Sequence, residues 1–525
     1  MYLLATENSL KIQNFSTIFK KKLGLLLCFF MCIIALISFD EYGISWDEET
    51  QRKTGIVNYE YVFSDSKELL TWFDKDYGVA FELPLVFLEK TLNLTDSRDI
   101  FLMRHLVTHL FFLIGCFFFF LLIDFLYKNK LLATIGFFLI VLHPRIYGHS
   151  FFNTKDIPFL TMFMISMYFT VIAFKKRTIL SFILLGICVG LLVNIRIMGI
   201  MMFATILTLL IIDAIVKKEI VKHSKLLVVF IISSVFILYA TWPFLWTDPI
   251  NNFILVFKNM SQFRWDSSVL FKGEFLKGTE IDWSYIPVWF SITTPIGYLL
   301  LGLLGSTLLL FQFFKNPASI ISDGILRHNL IFLFYVFAPV IAIIVLHSVL
   351  YDGWRQLFFI YPPFALLIVY WINYFKNKIK WINIMLLVLF FITTSFFMIN
   401  NHPFQHVYFN QFVTLSPPEY IRKHYELDYW GTSYKQSLEY ILKTDQSPSI
   451  DICFENTPGR LNINILSAVD RNRFNLVELE QATYFISNYR WHPQDYDFPE
   501  NQKIFSITVH NNTISQVYKI TILNK

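Results

Sequence analysis

The apolar run LGLLLCFFMCIIALISF, residues 23–39, decides the class of fold that this chain adopts. The run holds no charged residue, and its length approaches the roughly 20 residues that a helix needs to cross a bilayer. Lys20, Lys21 and Lys22 precede it, as basic residues precede a signal peptide, but no small-residue cleavage site follows it. The sequence therefore predicts an uncleaved first membrane span.

The composition extends this prediction to the whole chain. Hydrophobic residues make up 55% of the 525 residues and charged residues only 16%, whereas soluble proteins carry about 25% charged residues. The net charge of +5 comes mainly from short Lys/Arg clusters between apolar runs, which indicates membrane topology and no nucleic-acid partner. Four of the five cysteines lie inside apolar runs, so we predict no disulfide framework and no cysteine metal cluster.

Eleven apolar runs are candidate spans. They cover residues 23–39, 101–126, 131–147, 158–174, 179–194, 197–216, 226–243, 286–314, 329–350, 357–375 and 381–399. Basic clusters such as KKR (175–177) and KNKIK (376–380) occur in alternate connections. Since cytoplasmic loops of membrane proteins are rich in Lys and Arg, this pattern predicts a cytoplasmic N-terminus. An odd number of spans then places the C-terminus outside.

The chain divides into two predicted domains. Residues 1–400 form an α-helical polytopic membrane domain of about 11 transmembrane helices, with long outside loops at 40–100 and 244–285. From residue 401 the composition becomes polar. There, SLEYILKTD (437–445) has the pattern of a helix, and SIDICFE, ATYFISNY and KIFSITVHNN have the patterns of strands. Residues 401–525 are therefore predicted to form a small extracytoplasmic α/β C-terminal domain.

Acidic residues lie at the predicted outer ends of two spans. Asp47 and Glu48 belong to GISWDEETQRKTG (43–55), and Asp156 comes two residues before Pro158 at the start of the fourth span. A lone acid at a helix start could serve only to stabilise the helix dipole. Gathered at one membrane face, however, these three carboxylates could hold a divalent cation, or bind a hydroxyl group and take its proton.

Basic residues occur at the same predicted ends of the spans. They are His143, Arg145, His149, Lys155, Arg196 and Arg355. Each could simply extend its charge to the lipid headgroups. Because Arg binds phosphate through two parallel hydrogen bonds, cations beside carboxylates at a lipid boundary favour a lipid-linked phosphate as ligand. His105 and His109, four residues apart, are consistent with a metal pair but are more typical of interface histidines.

The order and sidedness of these motifs resemble the GT-C glycosyltransferases. The stretches that carry the resemblance are SWDEETQRKTG (45–55), HPRIYGHSFFNTKDIP (143–158), DGWRQLFFIYPP (352–363) and HPFQHVYFN…ELDYWGTSYK (402–435). They are most similar to bacterial phospholipid-carrier-dependent members related to protein O-mannosyltransferases and the aminoarabinose transferase. The resemblance implies a GT-C-like enzyme of the cell envelope, in a bacterial inner membrane. It would move a sugar from a polyprenyl-phosphate carrier to a lipid, glycan or protein acceptor on the periplasmic face.

The resemblance also implies roles for individual residues. Asp47 matches the base that acts on the acceptor, Glu48 would support it, and Asp156 matches the acid of the second outside loop. The positions expected at the carrier phosphate are Arg196 and Arg355, with Lys155 and Arg145 beside them. The second loop has no DxD motif, so the resemblance leaves a divalent metal open and implies no other cofactor. A single displacement would invert the anomeric centre.

Two other functions fit parts of the pattern. A transporter or flippase of lipid-linked sugars would show paired repeats and polar residues at mid-membrane, whereas here the polar residues gather at one end of the spans. A polymerase or ligase of the O-antigen type would depend on outside-loop arginines and a histidine more than on early carboxylates.

Overall fold

The computed structural model describes residues 22–261, 264–321 and 324–520. Lys20 and Lys21 of the predicted basic cluster lie outside these residues. The described helices up to residue 400 are α1 (Lys22–Glu41), α2 (Glu48–Phe63), α3 (Glu82–Thr91), α4 (Ser97–Tyr127), α5 (Lys130–Val141), α6 (Pro144–Phe152), α7 (Asp156–Lys176), α8 (Ile179–Ile195), α9 (Ile200–Lys217), α10 (Ile220–Thr241), α11 (Pro249–Ser261), α12 (Tyr285–Thr293), α13 (Ile296–Lys315), α14 (Ile325–Val345), α15 (Tyr361–Tyr374) and α16 (Lys380–Asn400).

The predicted polytopic helical fold is confirmed. Within the described ranges, nine helices are long and apolar enough to cross a membrane, namely α1, α4, α7, α9, α10, α13, α14, α15 and α16, where the spans of α9 and α15 include the helical turns before them (Ile197–Lys217 and Arg355–Tyr374). The third predicted span is a pair of helices, α5 and α6, bent by 65°. The fifth, α8, is a shorter apolar helix of 17 residues. Together these elements account for the eleven predicted spans.

The eighth predicted span, 286–314, is interrupted. Helix α12 ends before Thr294, whose ψ of 135° is extended, and α13 begins after Pro295. Proline disfavours the helical conformation for the residue before it and has no N–H to donate to a helix. The hydrophobic pattern alone does not show this break, so α13 is the part long enough to span.

Helix α8 packs closely against α10 through two glycines. A Cβ atom at Gly186 would lie 1.9 Å from Ser233 Oγ, and one at Gly190 would lie 2.5 Å from Ser234 O. Small residues four apart allow helix backbones to approach closely in a membrane, where apolar burial gives little drive for association. This contact fixes the end of α8, where Arg196 follows.

One buried ion pair holds the first long loop against α4, and a second, half-buried pair joins α2 to α3 within the loop. Arg104 of α4 bonds Glu82 of α3 at 2.6 Å, with both side chains almost fully buried. Arg52 of α2 reaches Glu89 at 2.7 Å. These contacts hold α2 and α3 against the bundle, so the residues just before α2 have a fixed position at the membrane edge.

The small C-terminal α/β domain is also confirmed. After the short helices α17 (Gln411–Thr414) and α18 (Tyr420–His424), it contains α19 (Tyr434–Thr444), β3 (Ile450–Phe454), α20 (Thr457–Ile463), α21 (Ala468–Arg471), β4 (Phe474–Leu476), β5 (Tyr484–Ser487), β6 (Lys503–Val509) and β7 (Asn512–Lys519). Strands β1 (Ser268–Phe271) and β2 (Glu274–Lys277) form a separate hairpin in the loop after α11. The larger sheet has the order β4-β3-β5-β7-β6, with β3 parallel to β4 and β5 and the other pairs antiparallel.

This sheet domain rests on the segment that joins α1 to α2. Lys435 Nζ donates to the carbonyl of Asp40 at 2.7 Å. The buried Asn462 side chain accepts from the Ile44 N–H and donates to the Ile44 carbonyl, each at 2.9 Å. The domain therefore holds the chain just ahead of Asp47. The exact boundary of the two domains at residue 400 stays a prediction.

Candidate active site

Asp156 begins helix α7 and is almost fully buried. Asn153 orients it, because the Asn153 side chain accepts from the Asp156 N–H and donates to Asp156 Oδ2, each at 2.9 Å. Asp156 Oδ2 also bonds Arg355 at 3.1 Å, and Oδ1 is paired with Arg196. One carboxylate thus joins two guanidinium groups from helices that are distant in the sequence.

Arg196 reaches this position because α8 ends at Ile195 and the chain becomes extended at Arg196. The loop before α3 packs directly on this end of the helix. A Cβ atom at Gly78 would lie 1.8 Å from Asn194 O, so only glycine fits there. The Asn194 side chain accepts from the Ala80 N–H at 3.0 Å. The Arg196 guanidinium is consequently fixed beside the first long loop.

A sharp turn positions Arg355, another of the predicted site residues. Asp352 and Gly353 both adopt left-handed backbone conformations, with φ of 56° and 69°. A non-glycine residue in this region is uncommon, and such strain concentrates at functional sites. Tyr285 accepts from the Gly353 N–H at 3.0 Å, and Trp354 donates to Thr293 at 2.7 Å. These contacts hold the turn that carries Arg355.

Arg355 lies at the centre of the group, where it contacts three carboxylates. Its side chain is only 2% exposed. It bonds Asp47 Oδ2 at 3.4 Å, Asp156 Oδ2 at 3.1 Å and Asp352 Oδ2 at 3.0 Å. Asp47 is the most accessible of the three, with 35% of its side chain exposed. Its side chain makes no capping bond to α2. The Asp47 carboxylate is therefore placed to meet a molecule that enters from solvent.

Lys155 adds a further positive charge at the edge of this group. Its ammonium lies 3.5 Å from the centre of the Tyr77 ring. Burial lowers the pKa of Lys155, and the nearby carboxylates of Asp74 and Asp47 oppose that effect. Burial likewise raises the pKa of Asp74, with Lys155 opposing. The structure thus brings Asp47, Asp156, Lys155, Arg196 and Arg355 together.

Two other predicted site residues lie apart from this group. Glu48 is buried and uses both oxygens elsewhere, accepting from the Ser45 N–H at 2.7 Å and contacting His105 Nε2 at 3.0 Å. It holds the start of α2 and supports Asp47 only through the backbone. Arg145 donates to the carbonyl of Tyr408 at 2.9 Å and is almost fully buried, and its contact with the carrier phosphate stays a prediction.

The carboxylates do not fit a metal ion. Among the described residues, no group of three or more His, Cys, Asp or Glu side chains could hold one. Asp47, Asp156 and Asp352 would be the oxygen ligands, but Arg355 shares its guanidinium among all three. His105 and His109 also fail as a metal pair, because His105 contacts Glu48 and His109 contacts Ser150 at 2.8 Å.

An apolar groove of about 460 Å³ borders this group. Arg196, Tyr77 and Tyr351 are among the residues that line it. Helices α9, α11 and α14 contribute to its walls with Met201, Phe257, Met260, Ala338 and Ile343, and Leu346 follows α14. Since α9 and α14 are membrane-spanning helices, the groove can receive an apolar chain from the bilayer while a polar head lies next to Arg196.

Sequence reasoning missed three residues that complete the site. Asp352 lies within the stretch 352–363 that indicated Arg355, and its spacing of three residues from Arg355 was the available signal. Arg490 binds Asp352 Oδ1 at 2.6 Å and comes from the C-terminal domain. Glu426 is buried, and both of its carboxylate oxygens have no hydrogen-bond partner among the described residues. Glu426 begins the stretch ELDYWGTSYK that carries part of the resemblance, which was the available signal for it, whereas nothing in the local sequence around Arg490 indicates that position.

Glu426 makes the stability of the protein depend on pH. Burial, reinforced by Asp352, raises the pKa of Glu426 from 4.5 to about 8, although Arg490, Arg355 and Arg145 oppose the shift. Because the folded state then holds a proton that the unfolded state releases, this contribution is full below pH 4.5 and is lost as pH rises toward 8.

We therefore expect the stability of E426Q to fall less than that of wild type as the pH rises from 5 to 8. The difference in Tm between E426Q and wild type should grow by at least about 2 °C across this window, as roughly 1 kcal/mol gives in a large domain. Thermal unfolding of the detergent-solubilised protein at several pH values measures this. E480Q changes an exposed glutamate and should follow wild type. Parallel curves for E426Q and wild type would contradict the prediction.

Comparison with known proteins agrees with the predicted resemblance. Residues 91–242 match the family described as dolichyl-phosphate-mannose-protein mannosyltransferase. No curated protein sequence matches the chain. Among solved structures, the chain is similar to the oligosaccharyltransferase of Archaeoglobus fulgidus in its apo form, with a TM-score of 0.42 and 11% identity. The match covers 78% of this chain and 57% of the oligosaccharyltransferase, so the chain spans just over half of that protein's length.

The fold is that of a polytopic helical membrane protein, and the family match covers less than a third of the chain, so the activity of this chain is a matter for proposal. The match supports the predicted resemblance to the GT-C glycosyltransferases, and the segment 91–242 that carries it includes Asp156 and Arg196. The particular donor, the acceptor and the roles of the individual residues are matters for proposal.

Proposed function

We propose that this protein transfers a sugar from a polyprenyl-phosphate carrier to the hydroxyl group of an acceptor. One observation carries the proposal: a solvent-accessible carboxylate and two guanidinium groups meet beside an apolar groove that Arg196 and residues of membrane-spanning helices line. Asp47 and Arg196 flank the Arg355–Asp156 pair. Such a site is suited to a substrate that is apolar at one end and anionic where the reacting bond lies.

The groove supports a lipid carrier as the donor. A water-soluble nucleotide sugar would need no apolar cavity bordered by α9 and α14. An isoprenoid chain would bury its methyl and methylene groups along Met201, Ala338 and Ile343, each buried CH₂ contributing about 0.8 kcal/mol. Its phosphate would then lie beside Arg196. The family that matches residues 91–242 is described by a dolichyl-phosphate-linked donor, which is consistent with this class.

The reaction would be a single displacement at the anomeric carbon. The acceptor hydroxyl attacks that carbon while Asp47 takes its proton, and the bond from the anomeric carbon to the phosphate oxygen breaks. The carrier phosphate leaves with the bonding electron pair, and Arg196 and Arg355 stabilise its charge. One displacement inverts the anomeric configuration. The acceptor can be a lipid, a glycan or a protein, since the step needs only a hydroxyl group.

The site would face the periplasm in a bacterial inner membrane. The basic clusters KKR (175–177) and KNKIK (376–380) lie at the ends of α7 and α15, opposite to the ends that carry Asp156 and Arg355. By the positive-inside rule these basic ends are cytoplasmic. The candidate active site and the C-terminal domain would then lie on the opposite, extracytoplasmic side.

A transfer assay in liposomes tests the proposed function. The purified protein is supplied with radiolabelled polyprenyl-phosphate sugars, and the release of polyprenyl phosphate and the appearance of labelled acceptor are measured. We expect A338W, which fills the groove, to raise KM for the long-chain donor about tenfold, the effect of roughly 1.4 kcal/mol of lost binding. I341W is the matched control, because Ile341 lies on the same helix, is 57% exposed and does not line the groove.

Two results would contradict the proposal. Equal KM values for A338W, I341W and wild type would exclude the groove as the binding site of the carrier chain. Movement of the intact carrier across the bilayer of the liposomes, with no bond broken, would instead support the transporter alternative.

A further inference from the structure

Arg490 extends from the C-terminal domain into the candidate active site. It lies three residues after the end of β5, next to the carboxyl ends of the parallel strands β3 and β5. In open α/β sheets, ligands and functional loops concentrate at these carboxyl ends. Here that edge of the sheet faces the membrane domain, and the Arg490 side chain is only 5% exposed.

The contacts of Arg490 reach both sides of the site. Its Nη2 donates to Asp352 Oδ1 at 2.6 Å, while Asp352 Oδ2 bonds Arg355 at 3.0 Å. Its guanidinium also lies 4.6 Å from the centre of the Trp46 ring. Trp46 is the residue directly before Asp47 in the chain. Arg490 is therefore connected to Arg355 through one carboxylate and to Asp47 through its neighbour.

Charge balance gives these contacts a consequence for binding. The group contains three carboxylates, Asp47, Asp156 and Asp352, and three guanidinium groups, Arg196, Arg355 and Arg490. Removing Arg490 would make the site, which also holds Lys155, more negative by one unit charge, and this would disfavour the binding of an anion. We propose that Arg490 is a positioning residue that neutralises Asp352, so that Arg355 remains available to the carrier phosphate. This inference rests on the proposed function.

The size of the effect follows from distance. A phosphate bound on the far side of Arg355 would be separated from Arg490 by Asp352 and Arg355. The distance between the phosphate and the Arg490 guanidinium would then be roughly 8–10 Å. One unit charge at that separation, with an effective dielectric constant of about 20, changes affinity about 10- to 30-fold. The effect should act on the phosphate group alone. A polyprenol, which has the same chain without the phosphate, should bind equally to all variants.

A binding experiment with the full-length protein in detergent micelles tests the inference, with undecaprenyl phosphate as the probe and the corresponding polyprenol as its uncharged counterpart. We expect R490Q to bind undecaprenyl phosphate about 10- to 30-fold more weakly than wild type. R490K keeps the charge and should stay within about threefold of wild type. The double variant R490Q/D352N loses one charge of each sign and should regain most of the affinity.

The matched control is R471Q, because Arg471 is a second arginine of the C-terminal domain that contacts the membrane domain. It pairs with Asp96 at 2.8 Å, away from the Arg355 group, and R471Q should bind undecaprenyl phosphate as wild type does. If R471Q were weakened as much as R490Q, or if R490Q/D352N were no better than R490Q, docking of the domain and not charge balance would be the cause.

The remaining outcomes separate this inference from the proposed function. If wild type and R490Q bind undecaprenyl phosphate with equal affinity, the role of Arg490 is overturned and the proposed function still stands. Wild type that binds no undecaprenyl phosphate would overturn both.

Discussion

Replacing Asp47 with asparagine should lower the rate of sugar transfer about 10²- to 10⁴-fold, the usual contribution of a general base. Asparagine keeps the size of the side chain and can still accept from Arg355, but it cannot take a proton from the acceptor. The loss should appear equally in kcat and kcat/KM, as expected when an interaction is made only in the transition state. The transfer assay with polyprenyl-phosphate sugars measures both constants.

The neighbouring acid provides the control for this prediction. Glu49 lies two residues from Asp47, is exposed and belongs to the same acidic stretch. E49Q should keep the activity of wild type, because the loss depends on the position of the carboxylate and not on the charge of the stretch. Equal transfer by D47N and wild type would remove Asp47 from the mechanism.

The membrane domain could be predicted closely because lipid leaves few choices. A backbone inside hydrocarbon must satisfy its own hydrogen bonds, so each long apolar run becomes a helix. The break in the eighth span was missed because apolar residues continue on both sides of Pro295, and the break in the third span lies at Pro144, close to the predicted end of that span at residue 147. Proline changes the backbone there without changing the hydropathy.

The site could be predicted in part because ionisable residues at a membrane edge are costly and few. This reasoning indicated Asp156, Arg196 and Arg355, which the structure brings into contact. It could not separate them from Arg145, whose charge is instead enclosed by the Trp289 and Phe409 rings. The direction of a side chain depends on tertiary packing, which a short motif does not contain.

The contribution of the C-terminal domain was out of reach for a different reason. Arg490 contacts Asp352, which lies 138 residues earlier in the sequence. An arginine is not unusual in a polar domain, so its presence there gives no signal. Glu426 begins the quoted stretch ELDYWGTSYK, but its burial depends on the packing around it, which the stretch alone does not show. Contacts between two domains depend on how the domains dock, so a single sequence gives no sign of them.

The geometry of Arg355 makes it the least replaceable cation of the site. Its guanidinium lies between the rings of Tyr351 and Trp430, with its centre 4.9 Å and 4.6 Å from them. A planar fork with five donors can bond several carboxylates from one fixed position, whereas a lysine ammonium is a compact point charge. Lysine at this position would keep the charge but lose the simultaneous contacts to Asp47 and Asp156.

R355K should therefore lower kcat for sugar transfer about 10²- to 10³-fold, the cost of removing one preorganised donor from a developing anion. R327K is the matched control, because Arg327 is equally buried at 2% exposure and pairs with Asp213 at 2.8 Å. Asp213 lies near the C-terminal end of α9, whereas Arg196 lies just before its N-terminal end. Both variants should lose similar thermal stability, since each disturbs a buried ion pair, but only R355K should lose transfer. Full transfer by R355K, or an equal loss in R327K, would show that Arg355 serves the fold and not the leaving phosphate.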